Sequence, residues 1–227
     1  MHGQRSRDSQ ESLIRPLGAV LAGGAGSRLG GRKALVEVGG VPLAERAVRT
    51  LSTVADPVVL VTDDELVART LGRPRIPDLR NGAGPLAGVE TALSAAEEEG
   101  RPGALILACD MPLVPSALLK LLLEQAPGRE VVLPESPGPL GVEPLCGYYS
   151  VQARRAVEEA LEAGRRSMHA FLARLSPDQL TGVRVAGIGP PERVFLNVNT
   201  PGDRERAEAL LSSGGNGSGE AGISRRP

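Results

Sequence analysis

Aromatic side chains are nearly missing from this chain. Phe, Tyr and Trp make up 2% of its 227 residues, and Trp is absent altogether. Stacking platforms for nucleic-acid bases are therefore scarce, and the core has to be built from Leu, Val and Ala. An excess of one charge sign is missing too. Lys and Arg number 26 against 27 Asp and Glu, for a formal net charge of -1, and no long basic run occurs. That balance argues against a nucleic-acid or membrane-surface partner. Cysteine is sparse: Cys109 and Cys146 have no CxxC neighbour. No disulfide framework or zinc site is readable, and a reducing, cytoplasmic setting is expected. No apolar run approaches the ~20 residues that cross a bilayer. Leu17–Ala22 is shorter than the ~7–15-residue core of a secretory signal.

What is present fits one globular domain long enough to bury a full core. Residues 1–15 (MHGQRSRDSQESLIR) are polar and aperiodic and read as a loose tail. Residues 212–227 (SSGGNGSGEAGISRRP) are rich in Gly and Ser and read as disordered. The folded domain is expected over 16–211. Within it short apolar runs alternate with amphipathic ones. Strands are expected at 17–22, 57–62, 103–109, 130–134, 144–150, 183–187 and 193–197. Helices are expected at 42–54, 64–71, 86–100, 115–126, 151–164, 167–175 and 203–211. Pro42, Pro115 and Pro201 fall at or just before helix starts, where a missing N–H does no harm. This alternation, with nearly all-apolar strands, predicts a single three-layer α/β/α domain around a mostly parallel, Rossmann-like sheet. Ligands bind beyond the carboxyl ends of strands in such sheets. The loops after Ala22, Thr62, Cys109 and Asn197 should then converge on one site.

The segment LAGGAGSRLGGRKAL (21–35) follows the first strand. Glycine lets backbone N–H groups approach phosphate oxygens with no Cβ in the way. Two common phosphate loops are excluded. A P-loop needs Gly-Lys-Ser/Thr, and here Arg32 precedes the lysine and Ala34 follows it. The dinucleotide fingerprint fits at Gly24 and Gly26 but meets Leu29 in place of its third glycine.

What remains is LAGG-x-x-x-R-x-G-x-x-K-A-L. It resembles the signature loop of nucleotidyltransferases with the nucleotide-diphospho-sugar transferase fold, and more narrowly the molybdenum cofactor guanylyltransferase family. Three later segments agree in order and spacing: DLRNGAGPLAGVETAL (78–93), LILACDMPLVP (105–115) and FLNVNTPGDRERAEAL (195–210). The match spans about residues 17–211.

The resemblance implies a set of roles. Leu21, Ala22, Gly23 and Gly24 would cradle the nucleotide. Arg28 and Lys33 would neutralise the triphosphate, with Lys33 facing the departing pyrophosphate. The family usually has an acid just before this lysine; Arg32 stands there instead. Asp110, directly after an apolar strand, suits a hard cation such as Mg²⁺ bridging phosphate oxygens, or alternatively a helix cap. Asp78 would touch the nucleotide, with Gly84, Pro85 and Leu86 shaping the helix entry beside the base. Asp63 is the nearest match to the family's base-reading Asn, and its carboxylate suits the N1–H and 2-amino edge of guanine; a helix N-cap is the plain alternative. Arg165, Arg166, Asn197 and Asn199 would face the acceptor. The implied reaction is transfer of GMP from GTP to the phosphate of molybdenum-molybdopterin, with transient contact to cofactor biosynthesis or insertion proteins. A CTP-dependent relative, another phosphate acceptor, and a non-catalytic GTP-binding regulator remain open on these residues alone.

Overall fold

A computed structural model describes residues 14–23, 29, 31–176, 179–185 and 187–214. The chain runs β1 (Leu17–Leu21), a 3₁₀ turn (Lys33–Leu35), β2 (Glu37–Val38), β3 (Val41–Pro42), α1 (Leu43–Leu51), β4 (Val58–Val61), α2 (Glu65–Leu71), β5 (Arg75–Ile76), α3 (Pro85–Glu98) and β6 (Gly103–Ala108). It continues with α4 (Ser116–Glu124), β7 (Val131–Pro134), β8 (Cys146–Ser150), α5 (Arg154–Glu162), α6 (Met168–Leu172), β9 (Leu180–Val183), α7 (Pro191–Val194) and α8 (Pro201–Gly214).

Seven strands form one sheet in the order β5-β4-β1-β6-β8-β7-β9, and β2 and β3 form a separate hairpin. β8 runs antiparallel to both of its neighbours, and the other pairings are parallel. Alternation within the strands explains the three layers. Leu105 and Leu107 of β6 point into one core with α1, α2 and α4. Ala104 and Ile106 point into the opposite core with α3, α5 and α6. A third, smaller cluster joins Val38, Leu43, Leu196, Val198 and Ala207, seating α8 on the β2–β3 hairpin. Helix α3 is buried on nearly every side from Leu86 to Ala96, because its Ala, Gly and Val residues let the sheet and α5 approach closely.

Two expectations fail. Residues 193–197 are not a strand: Pro190 and Pro191 start the single turn α7, and Phe195 follows it. The apolar run VFL is buried by packing instead, Val194 and Phe195 in one cluster with Val183 and Val185, and Leu196 in another with Val38 and Leu43. The expected strand at 183–187 sits three residues earlier, at Leu180–Val183, paired with β7. Strand β5 has only two residues, too few for an alternation signal. Helix α8 extends to Gly214, three residues beyond its expected end. The two tails otherwise lie outside the described residues.

Candidate active site

The sheet ladder runs on past the strand ends and fixes the residues that follow them. Ala22 N donates to Val61 O at 3.0 Å, Thr62 N to Ile76 O at 3.1 Å, and Cys109 N to Leu21 O at 3.1 Å. Gly23, Asp63 and Asp110 therefore emerge side by side, and they line one pocket of about 580 Å³. That volume is typical of a small-molecule or cofactor site. Leu21, Ala22, Lys33, Asp78 and Gly84 line the same pocket. Gly24 and Arg28 lie outside the described residues.

Lys33 begins the 3₁₀ turn across the end of β1. Its Nζ donates to Asp110 Oδ2 at 2.6 Å and to Asn199 Oδ1 at 2.5 Å. Asn199 is placed by two neighbours. Val198 N donates to the Asp110 carbonyl at 2.9 Å, and Asn199 N and Thr200 N donate to Asp203 Oδ2 at 3.0 and 2.8 Å. Asn197 is less involved: its amide donates to Phe195 O at 3.2 Å, a local turn. The loop carrying the two asparagines thus reaches the site through Asn199.

Asp110 Oδ1 is buried and has no hydrogen-bond partner among the described residues. A buried acceptor without a donor is costly, and a carboxylate oxygen in that position suits Mg²⁺, which prefers one or two carboxylates with the rest of its shell from water and substrate phosphate. Among the described residues no three or more His, Cys, Asp or Glu gather to hold a metal. Asp110 would then be the protein's own carboxylate on the cation. Cys109 beside it is core. Burial, and then the Asp110 charge, pushes its thiol up to about 12, so no thiolate nucleophile is present. A further acid nearby, Glu143, carries no signal in the sequence. Burial raises its carboxyl above the usual range, and the Asp110 charge adds to this.

The other side of the pocket belongs to the loops after β4 and β5. Asp78 N donates to Asp63 Oδ1 at 3.1 Å. Burial, with the Asp63 charge added, pushes the Asp78 carboxyl up, and its Oδ1 is buried without a partner among the described residues. The loop that follows is tied to α3. Leu79 N donates to Thr91 Oγ1 at 3.0 Å, and Arg80 Nε donates to both oxygens of buried Glu90 at 3.0 and 2.9 Å. The cap of α2 is Asp64, not Asp63: Asp64 Oδ1 accepts from Leu66 N and Val67 N. Asp63 is exposed instead, its carboxylate at the pocket wall.

Helix α3 points its N-terminus at the pocket; Pro85 there has no N–H and Ala87 N donates to Gly84 O at 3.1 Å, so the positive end of the helix dipole is what favours an anion. Gly84 caps it at φ +80°, and a Cβ there would come within 3.4 Å of Arg166 O. A Cβ on Gly88 would come within 3.1 Å of Leu21, so α3 lies directly against the end of β1. The turn of Arg165, Arg166 and Ser167 therefore abuts the helix entry, although neither arginine lines the pocket. Arg165 is half-buried, with its Nε buried and unpartnered among the described residues; Arg166 is exposed.

The pattern of the MobA-like NTP transferase domain matches residues 18–179. The chain belongs to that family. A probable molybdenum cofactor guanylyltransferase of Pelotomaculum thermopropionicum is 32% identical over 201 residues, covering 88% of this chain and 96% of that one. Another, from Opitutus terrae, is 38% identical over 192 residues, covering 83% and 93%. The crystal structure of molybdopterin-guanine dinucleotide biosynthesis protein A from Archaeoglobus fulgidus superposes with a TM-score of 0.70 at 30% identity, covering 87% of this chain and 99% of that one. The family is one of nucleotidyltransferases. The expected mostly parallel sheet, here of seven strands, agrees with it. No helix among the described residues is long and apolar enough to cross a membrane.

Proposed function

We propose that this nucleotidyltransferase is a molybdenum cofactor guanylyltransferase that moves GMP from GTP onto the phosphate of molybdenum-molybdopterin. The observation that carries the reading is Lys33 shared between Asp110 and Asn199 beside an unpartnered carboxylate oxygen, in a pocket of nucleotide size. Relatives 31–38% identical to this chain that are named molybdenum cofactor guanylyltransferases support it.

An oxygen of the acceptor phosphate attacks the α-phosphorus of GTP. The bond from the α-phosphorus to the bridging oxygen breaks, and pyrophosphate leaves with that electron pair. The acceptor is already an anion, so no covalent enzyme intermediate is required. Asp110, through its free carboxylate oxygen, would hold a divalent cation such as Mg²⁺, which would supply positive charge for the phosphate oxygens. Lys33 and Arg28 carry the remaining positive charge, with Lys33 matched to charge that grows on the leaving group. The α3 N-terminus supports the anionic substrate. Asp63 and Asp78 hold the nucleoside, and Arg165, Arg166, Asn197 and Asn199 face the acceptor. Both thiols are free and buried, in keeping with a cytoplasmic enzyme.

The test is pyrophosphate release from GTP, CTP and ATP in turn, with Mg²⁺ and molybdenum-molybdopterin. GTP should be preferred, and a dinucleotide product should form. Preference for CTP would reassign the nucleotide, and nucleotide binding without any release would make the protein a regulator.

A further inference from the structure

Two neighbouring cations leave the 3₁₀ turn in opposite directions. Lys33 pairs with Asp110 after β6, and Arg32 pairs with Asp64 after β4. Strands β6 and β4 flank β1 on its two sides. The two ion pairs therefore bracket the end of β1, and all four residues line the same pocket. Phosphate chemistry accounts for the Lys33 side. Nothing so far accounts for Arg32.

Asp64 is a fixed partner. Its Oδ1 accepts from Leu66 N at 3.0 Å and Val67 N at 3.4 Å, and its own N–H donates to Thr62 Oγ1 at 3.1 Å. The other oxygen takes Arg32 Nε. Only that one nitrogen of the guanidinium is engaged. Its two Nη groups have no protein acceptor among the described residues, and the side chain is 51% exposed where it lines the pocket.

A guanidinium offers donors in a fixed fork and no acceptor. Guanine presents two adjacent acceptors, O6 and N7, to such a fork. Adenine keeps N7 but places an amine donor at the neighbouring position, and cytosine also presents an amine there. A cation at this wall thus both attracts guanine and rejects the amino bases, which is how selectivity commonly divides. Asp63, two residues past the end of β4, supplies the acceptor for the opposite guanine donors. We propose that Arg32, oriented by Asp64, reads O6 and N7 of the guanine base. This rests on GTP being the substrate.

The experiment measures dissociation constants for GTP, 7-deaza-GTP, CTP and ATP with Mg²⁺ by calorimetry, so no acceptor is needed. In the unaltered protein, removing N7 should weaken binding about tenfold, the size of one hydrogen bond to a charged donor. In Arg32→Ala the GTP and 7-deaza-GTP constants should become equal. Asp64→Asn keeps the helix cap, since Asn caps as well as Asp. It frees Arg32, so the ratio should shrink there too. A ratio that is the same in the unaltered protein and both variants would overturn the role of Arg32 while leaving GTP as substrate. Tighter binding of CTP or ATP than GTP, or no binding of GTP, would overturn the substrate and the base reader together. Should Arg32→Ala fail to fold, Asp64→Asn decides by the same ratio.

Discussion

Lys33 and Asp110 lie 77 residues apart in the chain, and their charged atoms lie 2.6 Å apart in space. Their side chains are only 14% and 19% exposed, so solvent screens this pair far less than a surface salt bridge. The contact links the turn after β1 to the end of β6, the two central strands of the site.

Lys33→Ala should slow turnover at saturating GTP by ~10²–10³, the usual cost of losing one preorganised charge contact. GTP affinity should fall much less, because α3 and the backbone around Gly23 still meet the phosphates. Arg32 is held by Asp64 and so is a poor substitute. The double variant Arg32→Ala with Lys33→Ala should be no slower at saturation than Lys33→Ala alone. Pyrophosphate release at saturation, set beside the GTP dissociation constant, distinguishes this from a loop that only grips the nucleotide.

Asp110→Asn should keep the fold and lose most Mg²⁺-dependent turnover. An amide oxygen is a weaker ligand than a carboxylate for a hard cation. Unchanged circular dichroism with a collapsed rate, not rescued by raising Mg²⁺ to a few times its usual level, is the expected result. Rates near the original would remove Asp110 from the cation.

Asp78→Asn should stabilise the ligand-free protein while weakening GTP binding. The folded carboxyl of Asp78 is raised by burial, so its contribution to stability is full at low pH and is lost as pH rises through the raised value. At pH 7 the native protein buries a charge there, and the amide does not. A higher Tm than that of the unaltered protein is expected at pH 7. The gain should vanish as the pH drops below the carboxylate range. A Tm difference independent of pH would rule out the buried charge as its cause.

Glu90→Gln should cost about 1–3 kcal/mol in urea denaturation, since a buried hydrogen-bonding partner of Arg80 loses its charge. The effect on catalysis should appear in KM for GTP more than in kcat. Arg80 and Glu90 anchor the loop that carries Asp78, and neither reaches the reacting phosphorus. An equal fall in both parameters would contradict a purely positioning role.

Much of this architecture can be read from the residues. Runs such as LGAVL and GALILA fill both faces of the sheet, and their apolar character survives any detail of packing. Glycine, lysine and aspartate at strand ends mark the pocket for the same reason: strand ends must lie at one edge of a parallel sheet. Pairings across that edge are not legible. Nothing local tells that Arg32 meets Asp64 or that Arg80 meets Glu90, because long charged side chains choose partners only once loops are placed. The alternative reading of Asp63 as a helix cap failed by one residue, since Asp64 caps α2. VFL at 194–196 failed for a different reason. Burial makes a sequence apolar without deciding strand or turn, and the two prolines before it had already selected the turn.

The two cations at 32 and 33 also make the length of their loop a functional quantity. In a 3₁₀ turn each residue advances about a third of a revolution. A Cβ on Gly31 would meet no described residue within 4 Å. Deleting or inserting one residue there is another matter. It would displace both cations together along the chain, moving each away from the strand end it serves. The segment should therefore accept changes of identity far more readily than changes of number, and an indel scan across residues 29–32 should abolish activity where point substitutions at Gly31 do not.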